Sequence, residues 1–240
     1  MLAKPSAQPN QSLIDGIRTL QALAVSPEPI GCRALARQLE LDTSKVNRLL
    51  RTLAYLGIVR QTTSRKYTPG PGMHVLAAQS LFASGLIRRS LPALERLRRF
   101  GHTVAMGVLW NDSVSYLYHA PPGVDSAQAV ARIGVLPASS SGIGLALMAR
   151  FPNDVVAEIY NGHEIPGHPS GLPSLISTLD EIRRDGFARI RVSADEDRHT
   201  VAIGVGDPVY AGIGLSGWIP EVSTPDLVAE LDLAAREIGS

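Results

Sequence analysis

Residues 30–70, IGCRALARQLELDTSKVNRLLRTLAYLGIVRQTTSRKYTPG, decide how this chain is read. Within them Val46, Leu49, Leu50 and Leu53 fall at i, i+3, i+4 and i+7, the core-facing stripe of a helix predicted from Thr43 to Tyr55. The other face presents Ser44, Lys45, Asn47, Arg48, Arg51 and Thr52, which are three cations, three neutral hydrogen-bonding groups and no acid. A merely solvated face ordinarily mixes both signs of charge. A short helix over 33–39 and the turn Glu40-Leu41-Asp42 lead into this helix. After it come Gly57, a strand over 58–61, the polar turn Thr62-Thr63-Ser64, and a returning strand that opens with Arg65 and Lys66. Short helix, turn, cationic helix and basic hairpin make a winged helix-turn-helix, whose recognition helix enters the major groove of DNA. Asn suits adenine edges, Arg and Lys suit guanine or phosphate, and Ser and Thr suit phosphate. The candidate DNA-contacting residues are Thr43, Ser44, Lys45, Asn47, Arg48 and Arg51 on the helix, with Arg65 and Lys66 on the wing.

Toward the N-terminus, Ser12 and Asp15 have the spacing of a capping box, so a first helix is expected to open at Ser12. Leu13, Ile17, Leu20 and Ala24 supply its apolar face, and Pro27 and Pro29 end it. Charge is segregated along the chain. Residues 1–70 hold ten Lys and Arg against four acids, whereas the remaining 170 are net acidic by five, within a formal net charge of +1. A basic module gains affinity for a polyanion by releasing its counterions, and an attached acidic module gains nothing there.

At 240 residues the chain suits two modest domains, and 45% hydrophobic with 19% charged residues supplies material for both cores. No apolar run approaches the roughly 20 residues of a membrane helix. Residues 1–11 carry neither a signal-peptide nor a transit-peptide pattern and read as a disordered tail. The single cysteine, Cys32, excludes an intrachain disulfide and a cysteine-cluster metal site, in keeping with a reducing cytoplasm. The expected division is tail 1–11, winged helix-turn-helix 12–70, linker helix 71–89 and a second domain 90–240.

An Ala/Leu/Met-rich helix over 71–84 and a second helix up to Phe100 precede that domain, the latter bearing Arg88, Arg89, Arg96, Arg98 and Arg99 as a solvated or interface face. Then the pattern changes. Strands over 103–110 and 113–119 flank the turn signal Asn111-Asp112, and 127–135 is a further strand candidate. Helices are expected over 145–151, 154–160 and 174–185, strands over 187–192, 200–205 and 209–215, and a last helix over 225–238. The whole is α+β, with an antiparallel sheet flanked by helices.

Catalytic chemistry finds no support in these residues, and no cofactor is expected. Gly212 to Gly217 matches G-x-G-x-x-G, but Trp218-Ile219-Pro220 comes next, where a dinucleotide loop needs a helix start. His163 and His168 sit in a Pro/Gly loop with no matching carboxylates, and Asp195-Glu196-Asp197 reads as a solvated loop. The loop Ser139-Ser140-Ser141-Gly142-Ile143-Gly144 places hydroxyls and permissive backbone ahead of a helix, where unpaired N–H groups attract an anion. A plainly capped structural helix accounts for the same local sequence, and both readings stand at this level.

Arg48-Leu49-Leu50-Arg51-Thr52-Leu53, Gly57-Ile58-Val59 and Tyr67-Thr68-Pro69-Gly70-Pro71 resemble the N-terminal domain of the IclR family of bacterial transcriptional regulators. Two departures stand out: Cys32 at the second helix's N-cap, and Glu40 in place of the usual turn glycine. The latter requires a non-Gly residue at φ > 0. The resemblance extends more weakly over the second domain, which is similar to that family's GAF-like effector domain. It implies a dimer or tetramer binding a palindromic double-stranded operator, and an effector pocket lined by Ser139, Ser140, Ser141, Gly142 and Ile143. Thr200, Ser216, Met106, Tyr118 and Arg191 are further candidates, although strand alternation does not decide between Arg191 and Ile190. The family's Gly-Lys after this loop is Gly144-Leu145 here, and its acidic cluster is replaced by Arg189-Ile190-Arg191-Val192. The implied effector is a small anion, such as an aromatic carboxylate. The alternative is a small-molecule-binding protein whose N-terminal module serves only for assembly.

Overall fold

The computed structural model describes residues 8–131, 133–192 and 197–240. Residues 1–7 of the expected tail, and Asp195 and Glu196 of the expected acidic loop, lie outside them. The chain divides into two compact units on either side of Gly85 and Leu86.

In the first unit, α1 (Gln11–Ala24), α2 (Cys32–Leu39) and α3 (Thr43–Tyr55) pack over a three-stranded antiparallel sheet. Its strands are β1 (Ile30–Gly31), β2 (Val59–Gln61) and β3 (Lys66–Pro69), in the order β1-β3-β2. Leu23, Leu35, Val46 and Leu50 are fully buried at its centre. The expected capping box is not formed. Asn10 is the N-cap of α1 and accepts the Leu13 N–H, so Asp15 lies more than a turn inside the helix and is buried. The buried side of α1 runs Asp15, Thr19, Ala22 and Leu23, while Leu13 and Ile17 of the expected core face are exposed. Gly31, not Cys32, is the N-cap of α2, and Glu40 adopts φ 55° at its end. A sharp turn into α3 needs that left-handed residue, and its N–H donates to the Arg37 carbonyl. The helix α4 (Pro71–Ser84) comes next in the same unit, with none of its residues buried.

The second unit is built on a six-stranded antiparallel sheet. Its strands are β4 (Thr103–Trp110), β5 (Ser113–Ala120), β6 (Val135–Pro137), β7 (Ala188–Arg191), β8 (His199–Val205) and β9 (Ala211–Gly217). They run β6-β5-β4-β9-β8-β7 across it. The stretch 127–135 is not one strand. Asp125 caps a short helix α6 (Ser126–Ala129), Val130 makes one isolated antiparallel bridge to Tyr118, and a strand forms at the sheet edge only from Val135. On one face lie α5 (Leu86–Leu97) and α10 (Thr224–Gly239), sharing a core with Val104, Met106, Tyr118, Val201, Ile213 and Leu215. On the other lie α7 (Gly142–Met148), α8 (Asn153–Ile159) and α9 (Leu172–Asp185), packed with Ala105, Val114, Ala188 and Ala202. Four of the five arginines of α5 and the turn after it are tied down within the unit: Arg89 donates to the Ile238 carbonyl, Arg96 pairs with Glu237, Arg98 with Glu95, and Arg99 with Glu230. The glycine-rich segment before Trp218 is the strand β9, which leaves no helix start for a nucleotide phosphate.

Candidate nucleic-acid interface and ligand cavity

Helix α3 begins where Asp42 caps it. Its carboxylate accepts the Ser44 N–H at 2.7 Å and the Lys45 N–H at 3.2 Å, and the Ser44 hydroxyl completes the set. That hydroxyl bond, with the two backbone bonds, holds the Asp42 carboxyl below its ordinary pKa, so the cap stays ionised. With its start fixed, α3 buries Val46 and Leu50 and leaves Ser44, Asn47, Arg48 and Arg51 exposed. These four fall at i, i+3, i+4 and i+7, one continuous stripe. Thr43 is exposed just before them, and Thr52 beside them donates its hydroxyl to the Arg48 carbonyl. Lys45 is placed differently: its ammonium pairs with the buried Asp15 of α1. In the wing, Arg65 turns the hairpin at φ 59° and Lys66 opens β3, both exposed. The hairpin is closed by the Thr62 hydroxyl, which bonds the Lys66 backbone, and by the Thr62 N–H to the Lys66 carbonyl at 2.7 Å.

The second unit contains a cavity of about 170 Å³ between the sheet and the start of α7. Ser140, Ser141, Gly142, Ile143, Thr200 and Ser216 of the sequence candidates line it. Ser139 does not. Its hydroxyl donates to the Pro166 carbonyl at 2.7 Å, and its own carbonyl accepts from Nε2 of His168 at 3.2 Å. The expected loop histidine is therefore a buried strut, with Nδ1 in contact with the Ser174 hydroxyl at 3.1 Å. Burial holds its pKa below the ordinary histidine value, which keeps the ring neutral.

Met106 and Tyr118 lie on the opposite face of the sheet, in the core against α5 and α10. Met106 is there by the plain alternation of β4, with Val104 on the same face and Ala105 on the other. For Tyr118 the cause is a β-bulge: Met106 pairs with Tyr118 but Gly107 pairs with Tyr116, so Leu117 is an extra residue that reverses the facing of β5 on either side of it. Tyr116 and His119 consequently line the cavity, and sequence spacing marks neither. Burial and the adjacent Glu95 push the Tyr118 phenol up to about 12, as befits a core hydrogen bond. At β7 the alternation is resolved: Ile190 and Val192 line the cavity, and Arg191 between them does not. Thr103, Ala105, Ile133, Leu136 and Gly214 complete the lining that the sequence does not indicate. No local signal marks them, because each becomes a neighbour of the cavity only through the tertiary fold, Ile133 from the loop before β6 and the others through strand pairing.

Two hydroxyl pairs stand on the polar side of the cavity, beside Thr103, His119 and Ser140. Tyr116 and Ser141 are bonded at 2.8 Å, and Thr200 donates to Ser216 at 3.0 Å. Ser141 also caps α7, accepting the Gly144 N–H at 3.1 Å. The structural and the lining role thus coincide in one side chain. With only seven residues and its Gly144 N–H already capped, α7 is a weaker anion site than its sequence implies. Ile133, Leu136, Ile143, Ile190 and Val192 supply the apolar side.

A capped helix exposing cations and neutral hydrogen-bonding groups, a basic wing, and an α+β unit enclosing a small cavity together define a ligand-responsive DNA-binding regulator. Residues 13–63 match the model of the IclR helix-turn-helix domain, and residues 78–239 match that of the bacterial transcriptional regulator IclR C-terminal domain. The chain belongs to the IclR family of transcriptional regulators, with an N-terminal DNA-binding domain and a C-terminal effector-binding domain. It is 30% identical over 234 residues to the HTH-type transcriptional regulator KdgR of Escherichia coli K12, covering 92% of this chain and 88% of that protein. In fold it is similar to an IclR family transcriptional regulator from Brucella abortus, with TM-score 0.78, 23% identity, and coverage of 99% of this chain and 94% of that one. It is also similar to an IclR homolog from Microbacterium hydrocarbonoxydans in complex with 4-hydroxybenzoate, with TM-score 0.64, 22% identity, and coverage of 95% and 97%. Among the described residues no helix is long and apolar enough to cross a membrane.

Proposed function

We propose that this regulator reads a palindromic operator through Ser44, Asn47, Arg48 and Arg51 of α3, with Thr43 and the wing residues Arg65 and Lys66 on phosphate. The observation that carries this reading is the exposed stripe on α3, which contains no acid and begins at a capped helix start. Half-sites spaced by about one helical turn, or a multiple, match two heads related by a two-fold axis. The exposed Val75, Leu76, Leu81 and Phe82 of α4 support pairing with a second copy, as a dimer or tetramer in the cytoplasm where the genome lies. A single-chain mass by light scattering at micromolar concentration would refute the assembly.

The effector is a small acid, aromatic or aliphatic, with its oxygens toward Ser141, Thr200 and Ser216 and its apolar body toward Ile133, Leu136 and Val192. The size supports a metabolite rather than a larger molecule, since pockets for drug-sized ligands run to roughly 300–1,000 Å³, against about 170 Å³ here. The test is a thermal-shift screen of the full chain against small carboxylates and aromatic acids, because ligand binding raises stability by mass action. For the acid that shifts the melting temperature, Ser216→Ala and Thr200→Val are expected to weaken binding by about 1–3 kcal/mol each in calorimetry. Ser141→Ala is the poorer probe, since it also removes the cap of α7. No response to any acid, or undiminished affinity in both variants, overturns this part of the reading.

A further inference from the structure

We infer that Lys45, though it belongs to the recognition helix, is withheld from DNA, and that Asp15 is the positioning residue that withholds it. The inference rests on the DNA-binding reading of α3 and divides that helix's cations into two kinds.

The exposed stripe of α3 runs Ser44, Asn47, Arg48 and Arg51. Lys45 lies about 100° around the helix from Ser44, in the row continued by Leu49, Thr52 and Leu56 at i+4, i+7 and i+11. That row borders the groove between α3 and α1, opposite Leu13, Gly16, Ile17 and Leu20. The two helices approach closely there, for a Cβ on Gly16 would sit 3.8 Å from a Leu49 methyl. From this flank a long side chain reaches α1, and Lys45 does: its ammonium meets Oδ2 of Asp15.

Asp15 has no exposed surface. Its second oxygen accepts from the Gln11 amide at 2.9 Å, and its backbone carbonyl accepts the Thr19 hydroxyl at 2.7 Å. The hydrogen bond from Lys45, reinforced by Gln11 and opposed by burial, holds the carboxyl below its ordinary pKa, so the pair is ionic at neutral pH. Moving the ammonium to a phosphate would strand a buried carboxylate, and that loss exceeds what one solvent-exposed phosphate contact returns. Arg48 and Arg51 face no such penalty, since both are exposed with no acid on their stripe. The Asp15–Lys45 bond also anchors the first turn of α3, the turn that Asp42 caps, to α1. It therefore fixes how the stripe is presented.

The experiment is the salt dependence of binding by the full chain to a random-sequence DNA duplex, followed by fluorescence anisotropy over a potassium chloride series. Each lost phosphate contact lowers the slope of log Kobs against log salt by about 0.9. Lys45→Met alone leaves the Asp15 charge stranded and mixes binding with unfolding. The decisive variant is therefore the paired replacement Asp15→Leu with Lys45→Met, which keeps net charge and refills the site with apolar groups. It is expected to retain the wild-type slope, whereas Arg65→Met, in the wing placed on phosphate, loses about 0.9 per head. Asp15→Asn frees the ammonium, and the slope is expected to steepen by up to the same amount, a change that loss of packing alone does not produce. A slope that falls in the paired variant as it does in Arg65→Met overturns the inference. A slope unchanged in Arg65→Met as well overturns the DNA-binding reading of the first unit, and the inference with it.

Discussion

The two units of this chain build their polar sites in opposite ways. In the first, the candidate DNA-contacting face lies on one helix and one hairpin within 24 residues of sequence, from Thr43 to Lys66, and nearly all of it is exposed. Its side chains have little to do with holding the unit together, apart from Lys45. In the second, the cavity gathers residues from Thr103 to Ser216, contributed by all six strands of the sheet and the start of α7. There the polar groups bond one another, as Tyr116 with Ser141 and Thr200 with Ser216. A surface site separates recognition from stability, while an enclosed site makes the same side chains serve both.

The largest effect is expected where the enclosed site is packed most tightly. A Cβ on Gly144 would lie 2.3 Å from the Ala138 carbonyl oxygen, a backbone atom with no means of retreat. Gly144→Ala is expected to lower the unfolding free energy by about 3 kcal/mol, the upper end for overpacking. Denaturant unfolding of the full chain checks it, and an unchanged midpoint would show that the α7 start is not rigid. Next in size come Asn47→Ala and Arg48→Ala, each expected to cost about 1–3 kcal/mol in operator affinity. Stability is expected to stay within about 0.5 kcal/mol of wild type, as for exposed positions generally. A gel-shift titration read beside a melting curve separates the two quantities. A loss of stability to match the loss of affinity would erase the contrast between the units.

The smallest effect is one of pH. The folded-state pKa of His168 is lowered by burial, so the unfolded chain takes up its proton first as pH falls. Stability from this group is therefore present above the unfolded value of about 6.5 and is lost as pH drops from there through the folded value. His102 is shifted in the same direction by burial. The test is consequently a difference: melting temperature between pH 7 and pH 5 is expected to fall less in His168→Gln than in wild type. Asp15 in the first unit acts in a more acid range, contributing stability above its unfolded value of 3.8 and losing it only below. Equal slopes for wild type and His168→Gln would remove His168 as the strut of the Ser139 loop.

Legibility divides along the same line. The α3 stripe is a matter of local period, so Val46 and Leu50 point inward and Ser44, Asn47, Arg48 and Arg51 outward as the spacing requires. Glu40 at φ 55° is likewise readable, because a non-Gly residue stands at a turn that demands the left-handed region. The first helix misleads. Leu13 and Ile17 look like core, yet they are exposed, and the position that reads as half of a capping box holds a buried ion-paired acid. Local spacing shows which residues share a helix face but not which face has a partner. In the second unit Ser140, Ser141, Thr200 and Ser216 are legible, but the family resemblance points to Tyr118 where Tyr116 and His119 line the cavity.

Sequence by itself determined the elements and the surface they offer to a polyanion, because helix period, capping groups and charge segregation act between residues a few positions apart. It also determined that β9 is a strand and not a phosphate loop, since Trp218-Ile219-Pro220 cannot begin a helix. Only the tertiary structure decided which cation on α3 is committed to Asp15, since that bond joins residues about 30 positions apart on different helices. It alone decided which face of β5 meets the cavity, since one extra residue at Leu117 reverses the alternation without leaving a mark in the sequence. Both outcomes depend on packing between elements, where the free energy of burial selects among arrangements that local chemistry leaves equal.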